Sequence, residues 1–435
     1  MTPQTISVTP SMTLHAIRND RHKTGVLTFT LPSPLSAQST AYHILLAGIM
    51  RRGTQKYPSI AAINRRLDDL YATDVEVRST KIGKNLFLTI TAEMLDNRYV
   101  PTDEDLLDGV LEVIADLLFH PLLKNGGFDE EAVRQEIRCA IDALDAEINN
   151  TRAYAITRCV ESMYRNDPDF PTVAKLREVI AKANGDALYQ HYCDLISQAP
   201  IDVFYVGSLA PEEVAKKLSI ALLDAPTTQS FSPLPLMAAK VGIPVSQTQT
   251  MPVAQGKLAM GFRTGICATT DSEAHYQMLL LNEIFGGSPA SKLFMNVREK
   301  MSLCYYCSSS YSIYTGDMMV SSGIEVKNRA IAEEAIREQL REIQRGNVTE
   351  TEFSAAKKSL QNCYRQLYDN PLDLQTFLGT RQLFGISETV EECCQRLSDV
   401  RLEDVIAISQ GVVCDTVFFV EGTHVGAEEE AFDEE

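Results

Sequence analysis

Residues 42–54 read Tyr-His-Ile-Leu-Leu-Ala-Gly-Ile-Met-Arg-Arg-Gly-Thr, an apolar segment that ends in two arginines, a glycine and a threonine. A related segment, Tyr-Gln-Met-Leu-Leu-Leu-Asn-Glu-Ile-Phe-Gly-Gly, occupies residues 276–287. Further along each half, Gly83 corresponds to Gly316 at nearly the same offset. A recurring order of elements at a long, fixed distance indicates a duplicated structural unit. The chain is therefore predicted to contain two copies of one fold.

The predicted boundaries follow from where the periodic pattern stops and starts again. Residues 224–247 are rich in Pro, Ser and Thr and carry no periodicity, which predicts a linker. We therefore predict one repeat over 1–223 and a second over 248–427. Residues 428–435 read Glu-Glu-Glu-Ala-Phe-Asp-Glu-Glu and predict a solvated acidic tail.

Local patterns within the repeats predict an α+β fold. Alternating apolar residues predict two strands within 12–31 joined at Asn19-Asp20, and two more on either side of Gly83. Apolar residues at spacings of three and four predict helices over 106–118 and 130–149. Further predictions are a helix over 60–71, a buried strand over 201–207, a helix beginning at Pro211, and a capping box formed by Thr349 and Glu352.

Composition excludes several classes of function. The chain has 435 residues and a net charge of −18, which argues against nucleic acid and anionic membranes as partners. Its N-terminus lacks a basic and apolar leader pattern, and no apolar run approaches the length of a membrane helix. We therefore expect a soluble, cytoplasmic protein.

The ten cysteines are scattered rather than arranged as a disulfide framework. Cys304 and Cys307 form the one C-x-x-C pair, in a run typical of a strand. No second pair follows at zinc-finger spacing, so we interpret them as buried free thiols.

The second half carries the most distinctive set of residues. They are Leu-Asn-Glu-Ile-Phe-Gly-Gly at 281–287, Ser-Lys-Leu-Phe at 291–294, Val-Arg-Glu-Lys at 297–300 and Leu-Cys-Tyr at 303–305. This pattern resembles the C-terminal half of the pitrilysin (insulinase) family of zinc peptidases, with Ser302 where Gly is usual and Cys304 where Ala is usual. The resemblance covers nearly the whole chain. It implies two α/β-sandwich repeats of the LuxS/insulinase metallohydrolase type that form a clamshell.

The resemblance also locates a zinc site that this chain has lost. Peptidases of the family carry His-x-x-Glu-His in the first helix, and the register from Gly53 places Ile44 and Gly48 at the two histidines and Ala47 at the glutamate. Two His four residues apart share a helix face and bind one ion, and the Glu accepts a proton from the zinc-bound water. Ile, Ala and Gly have no group for either task. We expect no metal, no cofactor and no catalytic residue here.

Neighbouring residues do not replace the missing ligands. His43 is the only His between residues 39 and 67, which also hold no Asp, Glu or Cys, and it lies about 100° around the helix from the ligand position. We interpret it as a packed side chain. The third ligand of the family is a Glu on a later helix, and the matching position is Asp142 or Ala143, with Glu136 more than a turn away. An exposed helical face is the expected role of these acids.

Two further residues match positions that bind substrate in the family. The resemblance assigns Arg298 and Tyr305 to the Arg and Tyr that contact the substrate carbonyl, and both are donors suited to an oxyanion. The alternative is that Arg298 forms a helix-end ion pair and Tyr305 packs on a strand. Five basic residues near the former zinc site are interpreted as a solvated face, with a carboxylate-binding patch as the alternative: Arg51, Arg52, Lys56, Arg65 and Arg66.

The group within the family that the chain resembles is the YmfF-like proteins, non-peptidases associated with modification of elongation factor P. The resemblance implies a non-catalytic subunit that is not active alone. It would pair with a zinc-bearing pitrilysin-family partner as a heterodimer, close a peptide-processing chamber and supply Arg298 and Tyr305. The alternatives are a homodimer, a peptide- or protein-binding scaffold with no peptidase role, and a self-sufficient enzyme with unusual ligands.

Overall fold

The computed structural model describes residues 3–101, 104–223, 225, 231–235, 237 and 242–423. Part of the predicted linker at 224–247 and all of the predicted acidic tail at 428–435 lie outside the described residues.

Groups of strands and groups of helices follow one another along the chain. The strands are β1 (Gln4–Thr9), β2 (Met12–Arg18), β3 (Thr24–Pro34), β4 (Asp74–Ile82), β5 (Asn85–Leu95), β6 (Ile201–Gly207), β7 (Val245–Met251), β8 (Gly256–Arg263), β9 (Cys304–Tyr311), β10 (Asp317–Ile324) and β11 (Val413–Gly422). The helices are α1 (Ala37–Arg52), α2 (Ile60–Asp69), α3 (Leu106–Phe119), α4 (Glu130–Ala146), α5 (Thr151–Met163), α6 (Val173–Lys182), α7 (Gly185–Gln198), α8 (Pro211–Ala221), α9 (Ala274–Asn282), α10 (Arg329–Gln344), α11 (Glu350–Gln366), α12 (Pro371–Gln382), α13 (Val390–Asp399) and α14 (Leu402–Ser409). Two π-helical segments cover Glu283–Gly287 and Leu293–Lys300.

The chain divides into two compact units, each drawn from more than one stretch of sequence. Unit 1 comprises Met1–Asp145, Asp169–Pro235 and Arg365–Val390. Unit 2 comprises Ala146–Pro168, Leu236–Tyr364 and Glu391–Glu435. The units thus depart from the linear ranges 1–223 and 248–427, since α5 belongs to unit 2 and α12 to unit 1. The ranges proposed for the sequence repeats stay a prediction.

Unit 1 is built on a sheet with the strand order β1-β2-β6-β3-β5-β4. Side chains on a strand alternate between the two faces. Leu27, Phe29 and Leu31 of β3 are therefore buried on one face, in the core that also includes residues of α1 and α3. The polar residues between them point to the opposite face, where α12 lies. There the Thr28 hydroxyl donates to Oε1 of Gln375 at 3.1 Å.

Unit 2 is built on a sheet with the strand order β7-β11-β8-β10-β9, and α5 packs on one of its faces. The Cys159 thiol of α5 lies 3.7 Å from a backbone carbonyl of β8 and 3.7 Å from one of β11. At the end of α5, the buried Arg263 donates to the carbonyl of Met163 at 2.6 Å. The same guanidinium contacts Asp317 and approaches Asp415 to 3.5 Å. A buried guanidinium that pairs with carboxylates of the sheet thus also binds the end of α5 through a hydrogen bond.

The two sheets share one connectivity, as a duplicated unit requires. In unit 1, β6 pairs parallel with β2 and antiparallel with β3. In unit 2, β11 pairs in the same way, parallel with β7 and antiparallel with β8. Gly83 and Gly316 have φ of 58° and 68° and lie between paired antiparallel strands, β4–β5 and β9–β10. Positive φ favours glycine, which explains its recurrence at these turns. The clamshell arrangement stays a prediction.

Most predicted elements are found, and the mixed α/β fold is confirmed. The strands within 12–31, those around Gly83 and the helices from 106 and 130 have the predicted types, and Thr349 and Glu352 form the capping box. The polar segment at the N-terminus, for which no structure was predicted, contains β1. Among the described residues, no helix is long and apolar enough to cross a membrane.

Candidate functional site

The helix that corresponds to the zinc helix, α1, is held by its ends and by one buried face. The Ser36 side chain caps its first turn by accepting from the Ser39 amide at 3.0 Å, and Arg51 and Arg52 lie in its last turn, where the helix dipole favours cations. Its buried residues are Ala41, Tyr42, His43, Leu45, Leu46, Ile49 and Met50. Ile44, Ala47 and Gly48 are only partly buried. The three residues that the resemblance matches to the zinc motif therefore lie together on one side of α1.

A carboxylate occupies the space beside Gly48. A Cβ built on Gly48 would lie 2.6 Å from Cδ of Glu136 on α4 and closer still to Oε2 of the same side chain. The Arg52 guanidinium holds this carboxylate, since its Nε donates to Oε1 of Glu136 at 2.5 Å. Its Nη1 donates to Oε1 of Gln135 at 2.7 Å. An Arg–Glu ion pair thus joins α1 to α4 beside Gly48, the position that the resemblance matches to a zinc-binding histidine.

The residues at this place do not fit a zinc ion. Zinc requires imidazole, thiolate or carboxylate ligands in a tetrahedral set, and Ile44, Ala47 and Gly48 provide none. The third-ligand candidates, Asp142 and Ala143, are exposed on α4. Among the residues that the structure describes, no three His, Cys, Asp or Glu side chains are grouped so that they could hold a metal ion. No step of a zinc-dependent hydrolysis can be assigned to these groups.

His43 is a packed side chain. It has no exposed surface, and its Nε2 lies 3.3 Å from the Ser33 hydroxyl. Burial, with a smaller contribution from His191, lowers the pKa of His43 to about 3. Burial likewise lowers the pKa of His191, whose ring centroid is 5.3 Å from that of His43. Both rings are therefore neutral at pH 7 and pack against each other.

The basic residues around the former site have acidic neighbours. Besides the Arg52–Glu136 pair, Lys56 pairs with Glu112, and Arg66 pairs with Glu104 at 3.1 Å. These contacts support the interpretation of a charged, hydrated face. The structure identifies Glu136 as the residue at Gly48, which the sequence alone did not. The available signal was that Arg52 lies four residues after Gly48, on the same helix face.

Arg298 lies in unit 2, in the π-helical segment Leu293–Lys300 that precedes β9. Its side chain is 41% exposed. The guanidinium lies 4.6 Å from the Phe294 ring centroid, and its Nε lies 3.7 Å from Oε1 of Glu299. An ion pair at that separation and exposure contributes little to stability, typically about 0.2–1 kcal/mol. The guanidinium therefore remains accessible to an anionic or carbonyl group.

Tyr305 lies at a bulge on β9, an edge strand of the unit 2 sheet. Ile324 pairs with Cys304 and Gly323 pairs with Tyr306, so Tyr305 is the extra residue. A bulge turns its extra residue out of the regular alternation. Tyr305 is accordingly 61% exposed. The Arg298 charge acts on the adjacent Cys304 thiol, so the structure brings both predicted residues to one end of β9.

Comparisons with known proteins agree with this geometry. Residues 182–360 match the family described as the peptidase M16 inactive domain. The chain is 29% identical over 412 residues to a probable inactive metalloprotease, YmfF, of Bacillus subtilis (strain 168), covering 95% of this chain and 96% of that protein.

Solved structures share the fold over almost the whole length. A conserved protein from Enterococcus faecalis V583 superposes with a TM-score of 0.86 at 24% identity, covering 98% of this chain and 100% of that one. A peptidase M16 inactive domain from Pseudomonas fluorescens superposes with a TM-score of 0.79 at 14% identity, again over 98% and 100%. Over almost its whole length the chain is thus similar to a probable inactive metalloprotease and shares its fold with a peptidase M16 inactive domain, and its sequence contains no His-x-x-Glu-His motif.

Proposed function

We propose that this chain is a non-catalytic subunit that pairs with a zinc-bearing member of its family to form a peptide-processing chamber. The observation that carries the proposal is the contrast between its two former functional regions. The zinc-helix face holds Ile44, Ala47 and Gly48 against an Arg–Glu pair, whereas Arg298 and Tyr305 keep exposed polar groups. Hydrolysis therefore depends on a partner that supplies the metal and the base.

Arg298 and Tyr305 have the chemistry to contribute to a site completed by another chain. A guanidinium and a phenol both donate hydrogen bonds, and neither needs to lose a proton to do so at neutral pH. Donors of this kind stabilise the negative charge that develops on a peptide carbonyl oxygen during attack by water. In this role they hold the substrate and its developing charge, and they perform no proton transfer.

The test is peptide hydrolysis by the zinc-bearing pitrilysin-family partner, measured with and without this chain. The two proteins are co-expressed, the complex is isolated, and kcat and KM are measured for a fluorogenic peptide. Arg298→Ala is expected to lower kcat about 10²-fold, the usual effect of removing one oxyanion donor. Tyr305→Phe, which deletes only the hydroxyl, is expected to act in the same direction.

Two controls are matched to the tested residues, one by its segment and charge and the other by its residue type. Lys300→Ala removes a cation from the same segment, one that donates to Asn296 at 3.0 Å, and is expected to leave hydrolysis unchanged. Tyr99→Phe removes an exposed hydroxyl from unit 1. If Arg298→Ala behaves like Lys300→Ala, the assigned role is wrong. If the zinc-bearing partner hydrolyses peptides equally well without this chain, the subunit role is wrong as well.

Each remaining alternative has its own outcome. A peptide- or protein-binding scaffold would bind peptide without changing its hydrolysis. A homodimer would appear in light scattering of the isolated chain, and no stable complex with the zinc-bearing partner would form. A self-sufficient enzyme would hold stoichiometric zinc after purification and dialysis, which metal analysis detects directly.

A further inference from the structure

Cys304 and Cys307 are brought to one side of β9 by the bulge at Tyr305. In a regular strand, residues three apart point to opposite faces. The extra residue between Cys304 and Tyr306 shifts this alternation by one position. Cys304 pairs with Ile324 and Cys307 pairs with Ser322, and these two residues of β10 point to the same face of the sheet, so both thiols do as well. Two cysteines and a serine form a cluster that a regular strand would separate.

The two thiols have different surroundings. Cys307 is 3% exposed, whereas Cys304 is partly exposed. The interaction with Cys307 lowers the pKa of Cys304, and the Ser322 hydroxyl and the Arg298 charge lower it further, against the opposing effect of burial. The interaction with Cys304 and burial both raise the pKa of Cys307. Cys304 is thus the accessible thiol that loses its proton first, and Cys307 is the buried thiol behind it. This asymmetry is typical of a reactive dithiol.

The bulge also affects the distance that a disulfide would have to span. Disulfides need Cα atoms roughly 4.4–6.8 Å apart. Three residues of regular strand span about 10 Å. A bulge kinks the strand, and here three steps along β9 lie opposite two steps along β10, so the span between the two cysteines is shorter than in a regular strand. Closing the disulfide would tighten the bulge and move Tyr305, its extra residue.

We propose that Cys304 and Cys307 are a redox-active pair that low-molecular-weight disulfides oxidise to an intramolecular disulfide. The Cys304 thiolate attacks one sulfur of the small disulfide, whose S–S bond breaks as one thiolate leaves and a mixed disulfide forms. Cys307 then gives up its proton and attacks the Cys304 sulfur, and the second small thiolate leaves. The two cysteines lose two electrons and two protons, and the small disulfide is reduced to two thiols.

The experiment uses the full chain and oxidised glutathione. After oxidation, free thiols are alkylated and the protein is digested with trypsin. The peptide from Met301 to Lys327 contains Cys304 and Cys307 and no other cysteine. In the wild type this peptide is expected to resist alkylation and to be two hydrogen atoms lighter than its reduced form. Cys307→Ser is expected to stop at a glutathione adduct on Cys304, and Cys304→Ser is expected to form neither product.

Cys363 is the matched control. It is exposed, is the only cysteine of the tryptic peptide from Ser359 to Arg365, and burial of its sulfur raises its pKa. It is expected to be alkylated more slowly than Cys304 at pH 7. Far-UV circular dichroism checks the fold of each variant, and Cys307→Ala replaces Cys307→Ser if the serine disturbs it.

Two results would overturn the proposal. One is a wild-type peptide that remains fully alkylated at both cysteines after equilibration with oxidised glutathione. The other is a Cys307 variant without an adduct on Cys304. Neither readout depends on the proposed peptide-binding role, so this proposal and the proposed function can fail separately.

Discussion

Gly48→Ala is the substitution that tests most directly what replaced the zinc ligand. Gly48 lies in the interior of α1, where alanine is normally preferred to glycine by about 0.8–1.0 kcal/mol. The new methyl group would overlap the Glu136 carboxylate, however, because Cδ of that residue lies 2.6 Å from the ideal Cβ position. Glu136 would have to turn away and release Arg52. Two effects of opposite sign therefore compete at one position.

The structure determines which effect is larger. The Arg52–Glu136 contact is a charge-assisted hydrogen bond of 2.5 Å between side chains that are 26% and 18% exposed. Such bonds contribute about 1.5–3 kcal/mol. After subtracting the helix preference for alanine, the net destabilisation is about 1 kcal/mol, near the middle of a range of roughly 0.5–2 kcal/mol. This corresponds to a roughly fivefold increase in the population of opened α1.

Hydrogen exchange followed by mass spectrometry measures this opening in peptides that cover residues 37–52. A local measurement is appropriate because a chain of two compact units need not unfold in a single step. The decisive comparison is a double-mutant cycle with Glu136→Ala, which removes the overlapping carboxylate. In that background Gly48→Ala should slow exchange, since only the helix preference remains. If Gly48→Ala has the same effect in both backgrounds, the carboxylate does not occupy the space beside Gly48.

Two further predictions concern buried charge. His43 has a pKa of about 3 in the folded chain and about 6.5 when unfolded. The neutral form is therefore compatible with the fold, and its contribution to the stability of unit 1 is complete above pH 6.5. That contribution is lost as the pH falls from 6.5 toward 3, by roughly 1.4 kcal/mol per pH unit. Exchange of α1 amides between pH 7 and 5 should show this slope, and His43→Phe should reduce it; an unchanged slope would assign the effect to other groups. Asp317→Asn leaves the Arg263 guanidinium, which is 2% exposed, with weaker compensation, and should destabilise the packing of α5 by about 3 kcal/mol in exchange or denaturant experiments. A cost below about 0.5 kcal/mol, the level of an ordinary surface substitution, would refute the assigned anchoring role.

The sequence predicted local elements well because their signals are local. The apolar alternation of β3 and the spacing in α3 follow from which face each element buries. The turns at Gly83 and Gly316 could be paired because a positive φ requires the same residue type in both copies. β1 was missed because its residues are partly or fully exposed and give a weak pattern.

The exchange of helices between sequence halves could not be predicted in this way. An amphipathic pattern shows that α5 or α12 covers an apolar surface, but it does not show which sheet provides that surface. In the structure, specific contacts show which sheet each helix covers. Gln375 of α12 contacts Thr28 in unit 1, and the Met163 carbonyl of α5 accepts from Arg263 in unit 2. Contacts a hundred or more residues apart in sequence depend on the assembled fold.

The proposed former zinc site stays a prediction, and the residue that lies beside it in the structure could not be predicted from the sequence. The register from Gly53 fixes which residues take the motif positions, because all of them lie on one short helix. The side chain opposite Gly48 depends on how α4 approaches α1, and the connection between them contains two helices and two strands of unit 1. On α4 itself, Glu136 lies more than a turn from Asp142 and Ala143, the predicted third-ligand positions. Its carboxylate lies beside Gly48 of α1, which the spacing along α4 does not indicate.

The Arg52–Glu136 pair changes what the loss of zinc means for this chain. A metal that joins two helices couples their packing to its own binding, and such a fold weakens when the metal is removed. Here an ion pair within the chain joins α1 to α4, so their packing needs no ligand from outside. The same pair occupies the volume that a histidine at position 48 would need. The residues at the three motif positions therefore fit together with the Arg52–Glu136 pair. If the motif residues alone were restored, the imidazole at position 48 would overlap the Glu136 carboxylate. The site is thus a packed helix–helix contact in its own right.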